Sequence, residues 1–354
     1  MRTNAGPVLD NTTAALRRSW HVVALSEEVG EDPVQVWLLD EPWCLARVNG
    51  RVAAWADRCP HRLAPLSLGT VRDGVLQCGY HGWRFATDGR CLAIPALGGD
   101  GHVPARAAVE IPWAIEEHYG LIWMAPEEPV SSRLELPEWH EEGFDTGMST
   151  VLRSPAGAAL LVDNFLDAAH FPYVHGATFG TPEAAEVVDQ GIERTGWDVS
   201  TVFDTWYREA DQLERQLLLK ASNASLGVRL RLDFPRTGQV IAILFACTPE
   251  RAGRTRIFKL LARNDLGGDA GRMAAFIEEE DRILAEDLRI LEHYDHTGVP
   301  LDRTVEIHTR ADRLSLAWRS VMADLVAGRA LAEPVALDAD EPAAWSAQPA
   351  RMTP

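Results

Sequence analysis

The chain lacks any apolar run approaching the roughly 18 residues of a membrane-spanning helix, so no membrane span is expected. It is short of positive charge. Lys and Arg number 34 against 52 Asp and Glu, a formal net charge of -18. Nucleic acid and anionic membranes both require a basic surface and are poor partners for such a chain. The opening residues M-R-T-N-A-G-P-V-L-D have no apolar core of a secretory signal. Cysteine is scarce and odd in number: Cys44, Cys59, Cys78, Cys91 and Cys247. Five cysteines in a long chain do not make a disulfide framework, and a reducing cytoplasm fits them better. No internal repeat or low-complexity block is evident. What the chain does have is length and a core. Its 354 residues, 46% apolar, predict two domains with a sizeable interior.

Residues 1–14 read as a flexible end. From 15 to 125 short β-like runs alternate with turn signals such as Asn49-Gly50, Asp73-Gly74 and Asp88-Gly89, which predicts a small antiparallel β domain. Residues 126–150, rich in Pro, Glu and Gly, read as a connector. Over 151–330 a helix at 158–169 precedes several long strands, among them R-Q-L-L-L-K-A-S, G-V-R-L-R-L-D-F and Q-V-I-A-I-L-F-A-C. A long helix over about 269–296 and another over 309–329 follow. This order predicts an α+β domain with a helix packed on a sheet. The tail 331–354, rich in Ala, Pro and acid, reads as disordered.

Two constellations carry chemistry. Cys59-Pro60-His61 is followed, after 16 residues, by Cys78-Gly79-Tyr80-His81. Two thiolates and two imidazoles suit either a closed zinc site or a [2Fe–2S] cluster with two Cys on one iron and two His on the other. One Cys and one His from each of two loops favours the cluster, since zinc knuckles prefer C-x2-C or H-x3-5-H pairs. Neutral His in place of thiolate raises the cluster potential. Residues 51–90 hold six Arg against three Asp, a local charge of +3 in an acidic chain. Such an island attracts an acidic electron carrier, with Arg62 and Arg84 the foremost docking candidates.

The second constellation is Asn164, Asp167, His170 and His175. Asp167 lies one helical turn before His170. A continuous helix would put His175 about 140° from His170, and Pro172 is expected to break it and return His175 to the same metal. Two His and one carboxylate make the facial triad that leaves open positions on Fe(II) for O2. The third ligand must be distant. In the helix F-I-E-E-E-D-R-I-L-A-E-D-L-R-I-L-E-H-Y at 276–294, Phe276, Ile283, Leu284, Ile290, Leu291 and Tyr294 form an apolar stripe. Asp287 and Glu280 fall near its centre and Asp281 at its edge. Spacing does not choose between Asp287 and Glu280.

C-P-H-R at 59–62, C-G-Y-H-G-W at 78–83 and their flanks resemble the Rieske loops of the large subunits of Rieske non-haem iron oxygenases. N-x2-D-x2-H-x4-H at 164–175 resembles their mononuclear-iron motif, and E-D-L-R-I-L-E at 286–292 their late aspartate segment. The resemblance covers about residues 15–330 and is nearest the phthalate oxygenase, vanillate demethylase and dicamba demethylase type. It implies an all-β Rieske domain followed by a helix-grip (START-like) catalytic domain with an antiparallel sheet. It implies a cluster on Cys59, His61, Cys78 and His81 and iron on His170, His175 and Asp287. Asp167 would bridge His170 to a cluster histidine of the neighbouring subunit in a head-to-tail homotrimer, and Asn164 would sit close to the iron. With no flavin or nicotinamide fingerprint and no plant-type ferredoxin cysteine set, the chain is expected to receive NAD(P)H electrons through a separate reductase, with or without a ferredoxin. The implied reaction uses O2 to hydroxylate or demethylate a small, mostly apolar or aromatic substrate; cis-dihydroxylation and N-oxidation belong to the same class. From a different class, an electron carrier with a ligand-binding domain would hold the cluster and no third iron.

Overall fold

The computed structural model describes residues 6–98, 101–182, 185–187, 191–209 and 212–329, without side chains at 207–214. The tail expected to be disordered, 331–354, lies outside the described residues. Among the described residues no helix is long and apolar enough to cross a membrane.

The N-terminal half is antiparallel β structure. Val34–Leu38, Glu41–Val48 and Arg51–Ala56 form one three-stranded sheet. Ala114–His118, Leu121–Ala125 and His21–Leu25 form another, and four short strands between Thr70–Arg72 and Cys91–Ala93 form a third. The turn signals do what their chemistry demands. Asn49 and Gly50 both take positive φ, as do Asp73 and Gly74, so each pair closes a tight hairpin. Trp55, Phe85, Leu66 and Leu76 are buried between these sheets.

The C-terminal half is built on one eight-stranded antiparallel sheet. Its path runs Asp145–Met148, Arg254–Arg263, Gln239–Arg251, Gly227–Phe234, Gln212–Ser222, Asp198–Glu209, Ile192–Thr195. Leu152–Ser154 also pairs with Arg254–Arg263. Helices α1 (Ala158–Leu166), α2 (Phe171–Val174), α3 (Ala270–Leu291) and α4 (Arg313–Val326) accompany it. Asp269 caps α3 by accepting from the N–H groups of Gly271 and Arg272. Phe276, Glu280, Leu284, Asp287 and Leu291 are its buried residues, one stripe at helical spacing. Ile290 and Tyr294, expected on that stripe, are exposed.

Two expectations about the joints change. The N-terminal end is held from residue 8: Val8 and Leu9 pair with Pro300 and Val299. Buried Asn11 donates to the carbonyls of Arg251 and Arg254 and accepts from the Ala158 N–H. The stretch read as a connector is also more than a linker, because Asp145–Met148 joins the large sheet. Within it buried Glu138 accepts from Arg229 and Arg231, both at 2.7 Å. One apolar cluster runs from Leu16, Leu38 and Trp43 to Phe165, Phe245 and Leu284, so the two halves share a core.

Candidate metal centres and substrate cavity

The first centre is carried by two matched loops. The Leu63 N–H donates to the Cys59 carbonyl, and the Gly82 N–H to that of Cys78. Leu63 and Gly82 both have positive φ, which turns each loop back on itself. Gly79 is required by space: a Cβ there would lie 2.5 Å from the Leu68 carbonyl oxygen. The loops bury both thiols and leave both imidazoles at the surface. The thiols of Cys59 and Cys78 are neighbours, and burial together with that contact pushes Cys59 up to about 11. His61 and His81 meet edge to face with centroids 4.5 Å apart, and Trp83 stacks on His61 at 4.8 Å. Donors split two and two, thiols inside and imidazoles outside, suit a two-iron cluster better than one tetrahedral ion. Arg62 is exposed beside the imidazoles; Arg84 is half-buried and donates to Gln77.

The second centre joins α1, α2 and α3. The bend that sequence spacing assigns to Pro172 occurs five residues earlier. Helix α1 ends at Leu166 and Asp167 adopts an extended conformation, φ -71° and ψ 147°. The Asp167 carboxylate accepts from the N–H groups of Ala169 and His170 and so starts a new short helical turn. Pro172 sits in the first turn of α2, where a missing N–H breaks nothing. His170 and His175 flank α2, with ring centroids 5.1 Å apart.

Each imidazole is steered by a carboxylate on its far nitrogen. His170 Nδ1 lies 2.8 Å from Asp167 Oδ2, and His175 Nδ1 lies 2.9 Å from Glu286 Oε2. An ionised carboxylate only accepts, so Nδ1–H is the donor and the Nε2 lone pair is left free. Both Nε2 atoms point at Asp287 Oδ1, at 3.5 and 3.3 Å. His170, His175 and Asp287 bring one donor atom each within 4.8 Å of one another. Donors bonded to one cation at about 2.1 Å lie about 3.0–3.4 Å apart, close to these separations. Asp287 Oδ1 is buried and has no hydrogen-bond partner among the described residues, a costly state for a carboxylate oxygen unless a cation takes it up. Burial works against protonation of His175, yet Asp287 and Glu286 outweigh it and hold the imidazolium above its ordinary value. A site that favours a proton this way favours a dication more strongly. The three residues therefore fit a mononuclear metal.

Glu280, the competing candidate, is occupied elsewhere. Its Oε2 lies 3.2 Å from Nζ of buried Lys259. Asp281 accepts from the N–H and hydroxyl of Thr150. Asn164 lines a cavity of about 340 Å³ together with Asp167, His170 and Asp287, and its Oδ1 is buried without a partner among the described residues. Burial opposes ionisation of Asp167, but His170, the Ala169 N–H and Lys220 hold its carboxyl below the usual range.

On the other side of the triad lies a second cavity of about 330 Å³. Phe165 and Phe245 from α1 and the sheet and Phe276 and Ile283 from α3 form its apolar walls, and Gln216, Lys220, Gln239, Arg263 and Glu280 are among its polar lining. Residues between Gln216 and Arg263 supply the sheet wall; α1, the segment from His170 to Phe179 and α3 supply the rest. Sequence reasoning gave no role to Glu286, Thr178 or Lys220. Glu286 was visible only as the neighbour of Asp287. Lys220 had a signal, a lysine on the inward phase of the apolar strand R-Q-L-L-L-K-A-S. It is fully buried, donates to the Asp167 carbonyl and stands 4.6 Å over the Phe171 ring. Burial pushes its ammonium down to about 7.

A [2Fe–2S]-type domain joined to a helix-and-sheet domain with a two-His, one-carboxylate centre defines an oxygenase that takes electrons through an iron–sulfur cluster. Residues 19–108 match the Rieske [2Fe–2S] domain, and residues 154–328 match the vanillate O-demethylase oxygenase C-terminal domain. The chain belongs to the Rieske non-haem iron oxygenases, as a large subunit of the kind found in vanillate and dicamba demethylases. It is an oxidoreductase that uses a Rieske cluster, mononuclear iron and electrons supplied from outside the chain. It is 28% identical to methylxanthine N1-demethylase NdmA of Pseudomonas putida over 330 residues, 90% of this chain and 91% of that one. It is 38% identical to the oxygenase component of dicamba O-demethylase from Stenotrophomonas maltophilia over 175 residues, 47% and 49% of the two chains. The solved structure of NdmA from Pseudomonas putida CBB5 with caffeine superposes with a TM-score of 0.79 at 25% identity, covering 90% and 93%.

Proposed function

We propose that this chain hydroxylates or oxidatively demethylates a small, mostly apolar aromatic substrate held in the 330 Å³ cavity between α3 and the sheet. The observation that carries this reading is the position of His170, His175 and Asp287 at the end of that cavity, with donor atoms within 4.8 Å of one another. The relatives named for methylxanthine and dicamba demethylation act on small ring compounds bearing N- or O-methyl groups, which favours demethylation.

When bound, a cluster on Cys59, His61, Cys78 and His81 supplies single electrons and an iron on His170, His175 and Asp287 supplies O2 activation. The chain's own groups do the rest. Glu286 and Asp167 hold the two Nδ1–H groups and fix both imidazole planes. The Phe and Ile walls exclude water and orient the substrate ring. Lys220 anchors the Asp167 backbone from below. Asn164 is the polar neighbour of the centre on its outer side.

Asp167 is read as the joint through which a neighbouring subunit's cluster histidine reaches His170, in a head-to-tail homotrimer. Surface chemistry supports this. The cluster lip carries exposed Leu63, Leu68 and Tyr80, and the outer rim of the second centre carries exposed Tyr173, Tyr294 and Ile307. A separate reductase, with or without a ferredoxin, then reduces the cluster. The natural setting is read as the cytoplasm, with residues 15–125 and 151–330 as the two working units. The test is a substrate-class screen with a surrogate reductase, scoring O2 uptake, formaldehyde and hydroxylated products. A demethylated product with stoichiometric formaldehyde supports the reading. A diol moves it to dioxygenation, and no substrate-stimulated O2 uptake on any methylated or unmethylated aromatic overturns it.

A further inference from the structure

Only two residues lining the substrate cavity present a buried side-chain oxygen with no hydrogen-bond partner among the described residues. One is Asp287, whose oxygen faces the two histidines. The other is Gln216, 3% exposed, whose Oε1 is unmatched. Of the cavity's other polar groups, Glu280 is engaged with Lys259, Arg263 with Asp265 and Lys220 with the Asp167 carbonyl; Gln239 and Glu279 line it as well. A native interior rarely leaves a carboxamide oxygen unmet, and one that lines a cavity is free to meet whatever the cavity takes in.

The sheet register says where this oxygen stands. Residues two apart on a strand share a face, so Lys220, Leu218 and Gln216 line the cavity in that order. Leu218 pairs with Leu232, and Leu232 with Ile241, which makes the middle of the floor apolar. Gln239, two residues before Ile241, lies at the same outer level as Gln216. Lys220 marks the inner level, because its ammonium reaches the Asp167 carbonyl. At about 3.4 Å per residue, Gln216 stands about 14 Å along the strand from Lys220. The floor between these two levels is thus apolar, and at its outer end, away from the triad, stands the Gln216 carboxamide acceptor, with Gln239 at the same level.

We propose that Gln216 is a specificity-determining residue that selects substrates carrying an N–H or O–H donor on the side of the ring opposite the group being oxidised. This deepens the proposed function and rests on the apolar cavity being the substrate site. An acceptor built into an apolar wall discriminates strongly, because a substrate lacking the donor leaves the oxygen unpaired after water has been expelled. A methyl group in place of the hydroxyl therefore loses affinity although it is more apolar.

The test uses a matched pair, 4-methoxyphenol and 4-methylanisole, bound to the iron-loaded protein and followed by calorimetry, so that the readout does not depend on turnover. The wild-type protein is expected to bind the phenol at least tenfold tighter. Gln216→Leu should bring the ratio of the two dissociation constants to about one, and Gln216→Glu, which keeps an acceptor, should retain the preference. The cluster's visible spectrum and far-ultraviolet circular dichroism verify that each variant is folded. Equal affinities in the wild type, no binding of either probe, or a preference that survives Gln216→Leu overturns the proposal. Formaldehyde release is scored separately. Donor-selective binding without any product refutes the demethylation reading while leaving the role of Gln216 standing.

Discussion

Glu286→Gln isolates the contribution of one carboxylate to the second metal centre. Glu286 Oε2 lies 2.9 Å from His175 Nδ1 and also accepts from the Thr178 hydroxyl at 2.9 Å. Its side chain is 17% exposed, so solvent screens it only in part. Glutamine keeps the length and one acceptor oxygen but removes the charge. A hydrogen bond to a charged group contributes about 1.5–3 kcal/mol and a neutral one about 0.5–1.5. The difference, about 1–1.5 kcal/mol, corresponds to a roughly five- to tenfold weaker iron site. Glu286→Ala, which leaves the His175 Nδ1–H without its acceptor, should weaken it roughly 10–100-fold. The assay is competition for Fe(II) against a calibrated chelator, with the cluster's visible absorption as an internal check on folding. Glu292→Gln is the control. Glu292 accepts from Ser154 near the end of α3 and has no part in the triad, so iron affinity should not move. An iron affinity in Glu286→Ala within twofold of wild type would refute the view that Glu286 orients His175.

Asp287→Ala should remove one iron per chain and all turnover while leaving the cluster spectrum intact; metal analysis with retained activity would sink the assignment of the third ligand. Gly157→Ala should lower Tm by several degrees, because a Cβ there would sit 1.7 Å from the Thr297 carbonyl oxygen and α1 must shift to admit it, at about 1–3 kcal/mol. Glu138 gives a pH prediction away from the metals. Burial opposes its ionisation, but Arg229 and Arg231 outweigh that and hold its carboxyl below the ordinary value. A depressed carboxyl stabilises the fold above its unfolded pKa and loses that stabilisation as pH falls through the folded one. Melting temperature should therefore fall more steeply in wild type than in Glu138→Gln as pH drops below about 4.5. Parallel curves for the two proteins would count against this reading.

The chemistry of this chain is written in short local patterns, and those could be read directly. A Cys and a His two or three residues apart must leave the same loop, so the pairs 59/61 and 78/81 announce their loops. Positive-φ turns at Asn49-Gly50 and Asp73-Gly74 follow from residues that tolerate that conformation. Helix α3 followed from its spacing, and its carboxylates on a buried stripe marked a polar purpose inside a core. What spacing left open was settled by packing. Glu280 and Asp287 occupy the same stripe, and only the sheet decides that Lys259 meets the first and the histidines face the second. The bend before His170 lies at Asp167, because a carboxylate capping its own downstream N–H groups competes with the helix more directly than a proline that fits a first turn. Lys220 and Gln216 acquire meaning only when the neighbouring strands of the large sheet lie side by side. The sequence by itself determined which residues can bind metal and in which local frames. The tertiary structure alone decided which distant carboxylates complete those frames and which polar groups face the cavity, because those contacts span up to 120 residues of chain and leave no local period to read.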